Sequence, residues 1–416
     1  MLIEFSVSNF RSFREKQTFS MVAAPRLRKR ENLIKPVVKG EKLPDLLKVA
    51  AIYGPNASGK SNLIKALDLV RDVSSRQPTA HPMPLPVVPF RFDPALIDKP
   101  TKIDLHFICF ERRYQFELAL TQQRIVEERL IMFPEGKETL LYERKHEAGG
   151  DIYRFGAALE GGTDLHELWR KATGPQTLFI SQAVANSSEE LKQLRMPFLW
   201  FQGGLAVFFT HSSTALAQIT QQRAETDSEF ATALSSFLRE VDVPITAIRF
   251  DGFESDVANF PRTLLNPPQD GNQTKTILTH RTALGDAEFD FEEESDGTKN
   301  LIGFWTPWQF LTRFSKQGLA LIVDELDTSL HPEIVASLVT RHLHAESPGQ
   351  LIFTTHDTHV MDAKLLRRDQ FWLTERDANG ATQLRSIHDF EGREGEDLEK
   401  RYYEGRYRAL PIIRRS

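Results

Sequence analysis

The segment "GPNASGKS", residues 54–61, constrains the fold of this 416-residue chain more than any other stretch. It fits the pattern G-x-x-x-x-G-K-[ST], with the apolar run "LLKVAAIY" before it and the helix-like run "KSNLIKALDLV" after it. In a strand–loop–helix context, the glycines let backbone N–H groups point at phosphate oxygens, and the helix N-terminus adds partial positive charge. The candidate phosphate-binding residues are Gly54, Pro55, Asn56, Ala57, Ser58, Gly59, Lys60, Ser61 and Asn62.

The acid that such a site requires lies far along the chain, at the end of the apolar run "LALIV". This run suits a parallel strand buried on both faces, so Asp324 would stand at the carboxyl edge of the sheet, where open α/β sheets bind ligands. We expect Ser61 and Asp324 to hold Mg²⁺, and Glu325 to orient or deprotonate the attacking water. Because these groups and Lys60 are all suited to bind phosphates or to act on them, the predicted ligand is ATP with Mg²⁺.

Two further segments carry weaker signals. "ESDGTKN" contains a Ser-x-Gly turn, Ser295 to Gly297, whose N–H groups either bind an anion or form an ordinary helix cap. In the helical run that follows, Pro307 predicts a kink or break. His356 follows the strand-like "LIFTT" and is either a γ-phosphate sensor or a structural histidine.

Strand and helix patterns divide the chain into three predicted parts. Strand–helix–strand patterns at both ends predict an α/β core formed by residues 1–75 and 275–416. Short alternating runs such as "KIDLHFIC" and "RYQFELAL" predict an antiparallel β lobe over residues 76–163. Helical spacing predicts a mainly helical insertion over 164–274, with a flexible loop near 260–274 where Pro, Asn and Gly cluster.

Charge and hydropathy narrow the class of protein. The net charge of -5 argues against the broad basic surface of a non-specific nucleic-acid coat, although "RLRKR" at residues 26–30 forms a local basic patch. The chain has neither a leader pattern nor an apolar run of about 18 residues, and its single cysteine precludes an intrachain disulfide. We therefore expect a soluble, cytoplasmic protein with no membrane partner.

The order of the motifs resembles a known group of ATPases. "NFRSF", "GPNASGKS", "ESDGTKN", "LIVDELDTSLHP" and "LIFTTHDTHVMD" follow one another as in ABC-type ATPase heads of the SMC/RecF group. Within that group the chain is similar to AAA family ATP-binding proteins of the RloA kind, which occur in prokaryotic defence and abortive-infection loci. The resemblance implies an α/β fold, namely an ABC-type P-loop ATPase head with an antiparallel β lobe and a helical insertion.

The resemblance also implies roles for individual residues. They are, in chain order, a nucleotide-pocket arginine at Arg11, the signature motif at Ser295 and Gly297, the Walker B acid at Asp324, the catalytic glutamate at Glu325, the D-loop at residues 326–332 and the switch histidine at His356. Two features depart from the family pattern. Acids flank the signature serine at Glu294 and Asp296, and the Q-loop glutamine stays open among Gln77, Gln122, Gln123 and Gln182.

The predicted function is an ATP-hydrolysing switch. ATP would close a homodimer through the shared site, hydrolysis would open it, and the cycle would regulate a protein effector, such as a nuclease, encoded nearby in antiphage defence. A second hypothesis is a RecF-like repair or recombination ATPase whose dimer embraces DNA, although the insertion lacks long heptads for a coiled coil. A third is an ATP-binding scaffold without significant turnover, and a fourth is the ATPase subunit of a transporter.

Overall fold

The computed structural model of the chain describes residues 1–78, 83–209, 213–241, 243–251, 275–313, 318–407 and 409–410. The predicted flexible loop near 260–274 lies outside these residues. The strands, in chain order, are β1 (Leu2–Ser8), β2 (Gln17–Ser20), β3 (Leu33–Ile34), β4 (Leu46–Leu47), β5 (Val49–Tyr53), β6 (Thr101–Cys109), β7 (Arg112–Leu120), β8 (Ile125–Met132), β9 (Thr139–Glu147), β10 (Gly150–Phe155), β11 (Leu205–Phe209), β12 (Ile245–Asp251), β13 (Lys275–Thr282), β14 (Gly285–Asp290), β15 (Ala320–Asp324), β16 (Gln350–Thr354), β17 (Phe371–Arg376) and β18 (Thr382–Ser386). The α-helices are α1 (Lys60–Ser75), α2 (Gly162–Ala172), α3 (Phe179–Ala185), α4 (Arg195–Leu199), α5 (Ser213–Thr226), α6 (Ser228–Glu240), α7 (Asp296–Arg313), α8 (Pro332–His344) and α9 (Leu398–Tyr403).

A six-stranded sheet contains strands from both segments, 1–75 and 275–416, that sequence patterns assigned to an α/β core. Its strand order is β11-β15-β16-β5-β17-β18, parallel throughout except for β18 at the edge. Every residue of β5, β15 and β16 is buried, as expected for parallel strands covered on both faces. The predicted α/β core, with an antiparallel sheet beside it, is confirmed.

Alternating side chains of β5 contribute to two separate cores. Ala50 and Ile52 pack into the core that contains α1 and the inner face of the antiparallel sheet. Val49, Ala51 and Tyr53 pack into the core on the opposite face, with α6, α7 and α8. Because successive strand residues point to opposite faces, this one buried strand joins three layers and fixes where its carboxyl end opens into the glycine loop.

A seven-stranded antiparallel sheet covers α1. Its order is β10-β9-β8-β7-β6-β1-β2, so the region predicted as an antiparallel β lobe supplies β6 to β10. Sheet membership crosses the predicted domain boundaries in three places. Strand β1 joins this sheet, and β11, within the predicted helical insertion, extends the parallel sheet beside β15. Strand β12, also within the predicted insertion, pairs with β13 of the predicted core. Strand pairing depends on partners that are distant in sequence. The division of the chain into three parts at residues 75, 163 and 274 stays a prediction.

Helix α7 continues through Pro307, so the helix does not break there, and the kink that was the other predicted outcome stays a prediction. A proline inside a helix removes one backbone hydrogen bond and clashes with the preceding turn. Here Trp305, Trp308 and Leu311, on either side of the proline, are all buried against neighbouring helices. Burial of these large apolar side chains outweighs the local cost of the proline.

A buried charge cluster stabilises the antiparallel sheet where it meets α3. Glu128 is completely buried, accepts the Phe179 N–H at 2.8 Å and the Tyr142 hydroxyl at 2.7 Å, and lies 3.9 Å from the guanidinium of Arg144. Arg144 is equally buried and also pairs with Asp151 at 2.7 Å. Burial raises the pKa of Glu128, and the nearby Arg144 charge opposes that rise.

We expect Arg144→Met to destabilise the fold by about 3 to 5 kcal/mol, because it leaves the buried Glu128 charge without a counter-charge. Urea denaturation followed by circular dichroism measures the loss. Arg154→Met is the matched control, since Arg154 lies on the neighbouring strand and its side chain is 64% exposed beside Glu143. Equal stability of the two variants would contradict the role assigned to Arg144.

Candidate nucleotide-binding site

The glycine loop connects the carboxyl end of β5 to the N-terminus of α1. Gly54 has φ 154° and Gly59 has φ 112°, which side chains rarely tolerate. A Cβ atom at Gly54 would lie 2.3 Å from Thr374 Oγ1, and one at Gly59 would lie 2.1 Å from Thr382 Oγ1. Both positions therefore require glycine, while the crest formed by residues 56 and 57 is exposed.

The loop is held from outside by three hydroxyl groups that sequence patterns did not single out. Ser58 Oγ lies 2.5 Å from Thr374 Oγ1, and the Ser58 carbonyl accepts the Thr382 hydroxyl at 2.7 Å. The Ser12 hydroxyl accepts an N–H from the Asn62 side chain at 2.8 Å. Ser12 lies within the motif "NFRSF" but has no predicted role there, and no local motif marks Thr374 or Thr382. The three residues reach the loop from the β1–β2 turn and the β17–β18 hairpin.

Lys60 begins α1 and is buried against its own loop. Its Nζ donates to the carbonyl oxygens of Gly54 at 2.8 Å and Pro55 at 3.3 Å. Burial lowers the pKa of Lys60 to about 8, although nearby carboxylates, Glu325 foremost, oppose the shift. The ammonium group thus has carbonyl partners but no carboxylate within hydrogen-bond distance among the residues that the structure describes.

Ser61 and Asp324 are separated by most of the chain but meet at the carboxyl edge of the parallel sheet. The Ser61 hydroxyl donates to Asp324 Oδ1 at 3.2 Å. Thr354, at the end of β16, lies between the glycine-loop strand and the strand of Asp324, and its hydroxyl donates to the same Oδ1 at 2.7 Å. Thr354 is a site residue that the sequence interpretation missed, although "LIFTTH" carries it.

Glu325 leaves the strand in a left-handed conformation, with φ 55°, and donates its backbone N–H to Thr354 Oγ1 at 2.7 Å. Because the chain turns here, the alternation of side chains between the two faces of the sheet ends at Glu325. His356 donates its backbone N–H to Asp327 Oδ2 at 3.2 Å. Burial, and then the charge of Lys60, lower the pKa of the His356 imidazole below its usual range. Burial and the Lys60 charge thus both favour the neutral form of the imidazole.

Arg11 lies beside the glycine loop, in the turn between β1 and β2. Its neighbour Ser12 contacts the start of α1, and its own backbone has φ 51°. Burial and the nearby Arg91 charge lower the pKa of Arg11, and its Nε is buried without a hydrogen-bond partner. Within the described residues Arg11 forms no ion pair, and only its neighbour Ser12 is seen to contact the start of α1.

Ser295 and Gly297 lie elsewhere in the same chain. Ser295 Oγ accepts the Thr298 N–H at 3.2 Å, as a helix cap does, and a Cβ at Gly297 would lie 2.6 Å from the Ser329 carbonyl oxygen. Within the described residues, neither forms a hydrogen bond with the glycine loop or Asp324. One chain therefore does not bring the Ser-x-Gly turn onto its own glycine loop.

The acid before this turn has a partner in the chain. Glu294 Oε1 lies 2.6 Å from Nε2 of His280 on β13, and the Glu294 side chain is only 6% exposed. The ring of Phe289 packs edge-on against His280. The contact holds the Glu294 carboxylate against β13 and anchors the start of α7. The sequence pattern did not predict this contact.

The glutamine predicted for a Q-loop is still not identified. Within the described residues, none of the four candidates forms a side-chain hydrogen bond with the glycine loop or Asp324. Gln182 lies beside the distal end of α1, because the neighbouring Ser181 donates to the Ser74 carbonyl. Gln122 donates to the Val87 carbonyl, and Gln77 and Gln123 are exposed.

The donor set fits Mg²⁺ accompanied by phosphates better than a metal held by protein alone. No group of three or more His, Cys, Asp or Glu side chains in the described part of the chain could hold a metal ion. The Ser61 hydroxyl and the Asp324 carboxylate supply two hard oxygen ligands 3.2 Å apart. Mg²⁺ commonly uses one or two such protein ligands and completes its octahedron with phosphate oxygens and waters.

Comparison with known proteins identifies one family. The family model described as "AAA domain, putative AbiEii toxin, Type IV TA system" matches residues 49–362. No curated protein sequence matches significantly. Among solved structures, the SMC head domain from Thermotoga maritima is similar with 13% identity, 92% of this chain and 98% of that chain covered, and a TM-score of 0.40.

A second similar structure is an SMC head bound to the C-terminal winged-helix domain of ScpA, with 13% identity, 93% and 99% coverage, and a TM-score of 0.45. Within the described residues, no helix combines the length and apolar character needed to cross a bilayer.

Proposed function

Since the chain belongs to this family of AAA domains, we propose that it is an ATP-dependent switch that binds and hydrolyses ATP and thereby regulates a partner effector. The observation that carries the proposal is the 3.2 Å contact between Ser61 and Asp324. It joins the glycine loop to the strand-end acid at the sheet edge where α/β proteins bind ligands.

Binding of the triphosphate follows from the charges around the loop. When ATP binds, the Lys60 ammonium would exchange its two carbonyl partners for β- and γ-phosphate oxygens. The negative charge of the phosphates would then compensate the buried positive charge of the lysine. Arg11 would add a second positive charge from the β1–β2 turn. Ser61 and Asp324 would hold Mg²⁺, which neutralises charge on the phosphate oxygens when it is bound.

Hydrolysis requires a base near the γ-phosphate. Glu325 follows Asp324 directly and turns off the strand end, so its carboxylate can accept a proton from the attacking water. Neutral His356 can donate one ring N–H to a γ-phosphate oxygen. We therefore propose Glu325 as the base and His356 as the γ-phosphate contact.

A second copy of the chain would complete the site. Ser295 and Gly297 contact their own helix and the turn at Ser329 rather than the glycine loop of the same chain. The N-terminus of the 18-residue helix α7 would then present N–H groups to the γ-phosphate bound by the other copy. ATP would stabilise this homodimer, and hydrolysis would release it.

The effector is proposed to be a separate protein in prokaryotic antiphage defence, such as a nuclease. Two observations support this. The family description refers to an AbiEii toxin and a type IV TA system, and the described residues contain no cluster that could hold a catalytic metal apart from the phosphate site. Regulation requires that the effector bind the open and closed forms with different affinity.

We expect phage protection to require this chain, its neighbouring gene and an intact glycine loop together. The experiment expresses both genes in a phage-sensitive host and compares plaque formation for the parent and for Lys60→Ala. Deletion of the neighbouring gene is the control for the effector. Protection that persists in Lys60→Ala, or that needs no second gene, would overturn this function and favour a RecF-like DNA-binding ATPase.

A further inference from the structure

The basic segment "RLRKR", residues 26–30, has no role in the nucleotide site, and we refer to it as the basic loop. Arg26, Arg28 and Arg30 are exposed, and the Arg28 side chain is 89% exposed. Within the described residues, Arg26 and Arg30 form no ion pair. Glu394 accepts the Arg28 N–H at 2.6 Å and lies 3.9 Å from its guanidinium, which nevertheless stays open to solvent.

A buried ion pair holds the backbone of the basic loop from below. Arg367 is 3% exposed and donates to the carbonyl oxygens of Ala24 at 2.9 Å, Leu27 at 3.3 Å and Arg28 at 3.0 Å. Asp369 pairs with Arg367 at 2.6 Å and accepts the Ala24 N–H at 2.7 Å. Burying two charges is costly unless their hydrogen bonds are satisfied, and here the loop backbone satisfies them.

The backbone of the basic loop is also held in an unfavourable conformation. Arg26 has φ 71° and Lys29 has φ 60°, which are left-handed values that long side chains adopt rarely. The Lys29 ammonium donates a hydrogen bond to the Lys364 carbonyl oxygen. A rigid support beneath strained residues keeps several cations close together at the surface, which mutual repulsion would otherwise disfavour.

The basic loop lies at the edge of the parallel sheet opposite the nucleotide site. Gln370, next to the buried ion pair, donates its side-chain N–H to the Val49 carbonyl at the start of β5. The glycine loop begins at the other end of this strand. Five strand residues span about 16 Å, so one molecule of ATP cannot contact both places.

We propose that the basic loop binds the phosphate backbone of a nucleic acid. Arg26, Arg28 and Arg30 present guanidinium groups, whose planar donors match phosphate oxygens. Leu27 is the single apolar residue of the loop and is partly buried, whereas protein partners and bilayer interfaces need exposed apolar anchors. The net charge of -5 on the whole chain argues against a broad basic surface, so the attraction would be local.

The test measures binding of the full chain to a fluorescent DNA duplex of about 30 base pairs, and to single-stranded RNA of the same length, across a salt series. Combining Arg26→Gln, Arg28→Gln and Arg30→Gln should weaken binding about tenfold or more and lower the slope of log affinity against log salt by about 3. ATP binding by this variant should be unchanged. If the triple variant does not fold, Arg26→Gln and Arg30→Gln are tested singly, each with an expected slope change of about 1.

The matched control removes three arginines that already face carboxylates. Arg154, Arg281 and Arg385 are exposed and pair with Glu143, Asp286 and Glu375. Their combined replacement by Gln removes the same charge and should leave nucleic-acid affinity nearly unchanged. Lys60→Ala should also retain binding, because the two sites are at opposite edges of the sheet.

Three results would overturn the proposal. The first is equal loss of affinity in the control and the basic-loop variants. The second is dependence of nucleic-acid binding on Lys60, which would assign that binding to an ATP-closed dimer. The third is binding to phosphatidylserine vesicles or polyglutamate without binding to either nucleic acid. None of these results bears on ATP hydrolysis, so the two proposals can fail separately.

Discussion

Lys60→Ala is expected to weaken ATP binding by about 100-fold or more, to below detection in a calorimetric titration. The Lys60 ammonium is buried at the start of α1 and is held by carbonyl oxygens of the glycine loop. Removing it leaves β- and γ-phosphate charge in a buried site without its nearest cation. The loop itself should persist, because its glycines and the hydroxyl groups of Ser58 and Thr374 shape it independently of the lysine.

Lys65→Ala is the matched control, since Lys65 lies on the same helix, partly exposed and outside the glycine loop. It should bind ATP as the parent does. Thermal denaturation of both variants separates loss of ligand from loss of fold. Binding by Lys60→Ala with parental affinity would show that the glycine loop does not bind the phosphates.

Glu325→Gln is expected to retain ATP but hydrolyse it about 100- to 10,000-fold more slowly, because the amide cannot accept a proton from water. Gln preserves the size of the side chain, and the contacts of Lys60, Ser61 and Asp324 do not depend on it. The ATP-bound form should therefore accumulate as a dimer. Phosphate release measures turnover, and sedimentation with and without ATP measures association.

Glu346→Gln is the control for this variant, because Glu346 is exposed just beyond the C-terminal end of α8. It should hydrolyse ATP at the parental rate. Unchanged hydrolysis by Glu325→Gln, together with no effect of ATP on its association, would contradict the shared-site dimer. If the dimer forms without nucleotide, the variant tests the role of Glu325 in hydrolysis alone.

Mixing variants tests whether the second copy contributes Ser295. Lys60→Ala and Ser295→Arg should each be inactive alone, but a mixed dimer contains one site in which both residues are intact. Recovery of hydrolysis on mixing is therefore expected. Failure to recover, with both variants folded and able to associate, would mean that each site is completed within one chain.

Much of the parallel core could be predicted from sequence because its signals are local. The run before Gly54 and the run before Asp324 are apolar over nearly their whole length, as strands buried on both faces must be, and β5 and β15 are completely buried. Short alternating runs likewise predicted β6, β7, β9 and β10, but not β8. Of the kink or break predicted at Pro307, the break does not occur, because buried Trp305 and Trp308 hold the helix together.

The sequence alone determined which chemical groups are available at the site: a glycine loop, a lysine, a hydroxyl and two strand-end acids. Only the tertiary structure decided how they meet. Thr354 bridges to Asp324 because β16 lies between β15 and β5, and Thr382 closes on the loop from a hairpin more than 300 residues away in the chain. Ser295 and Gly297 match a motif, but in the part of the chain that the structure describes they form no hydrogen bond with their own glycine loop. The reason is physical: strand order and side-chain hydrogen bonds between distant segments depend on packing of the whole chain, which local periodicity does not encode.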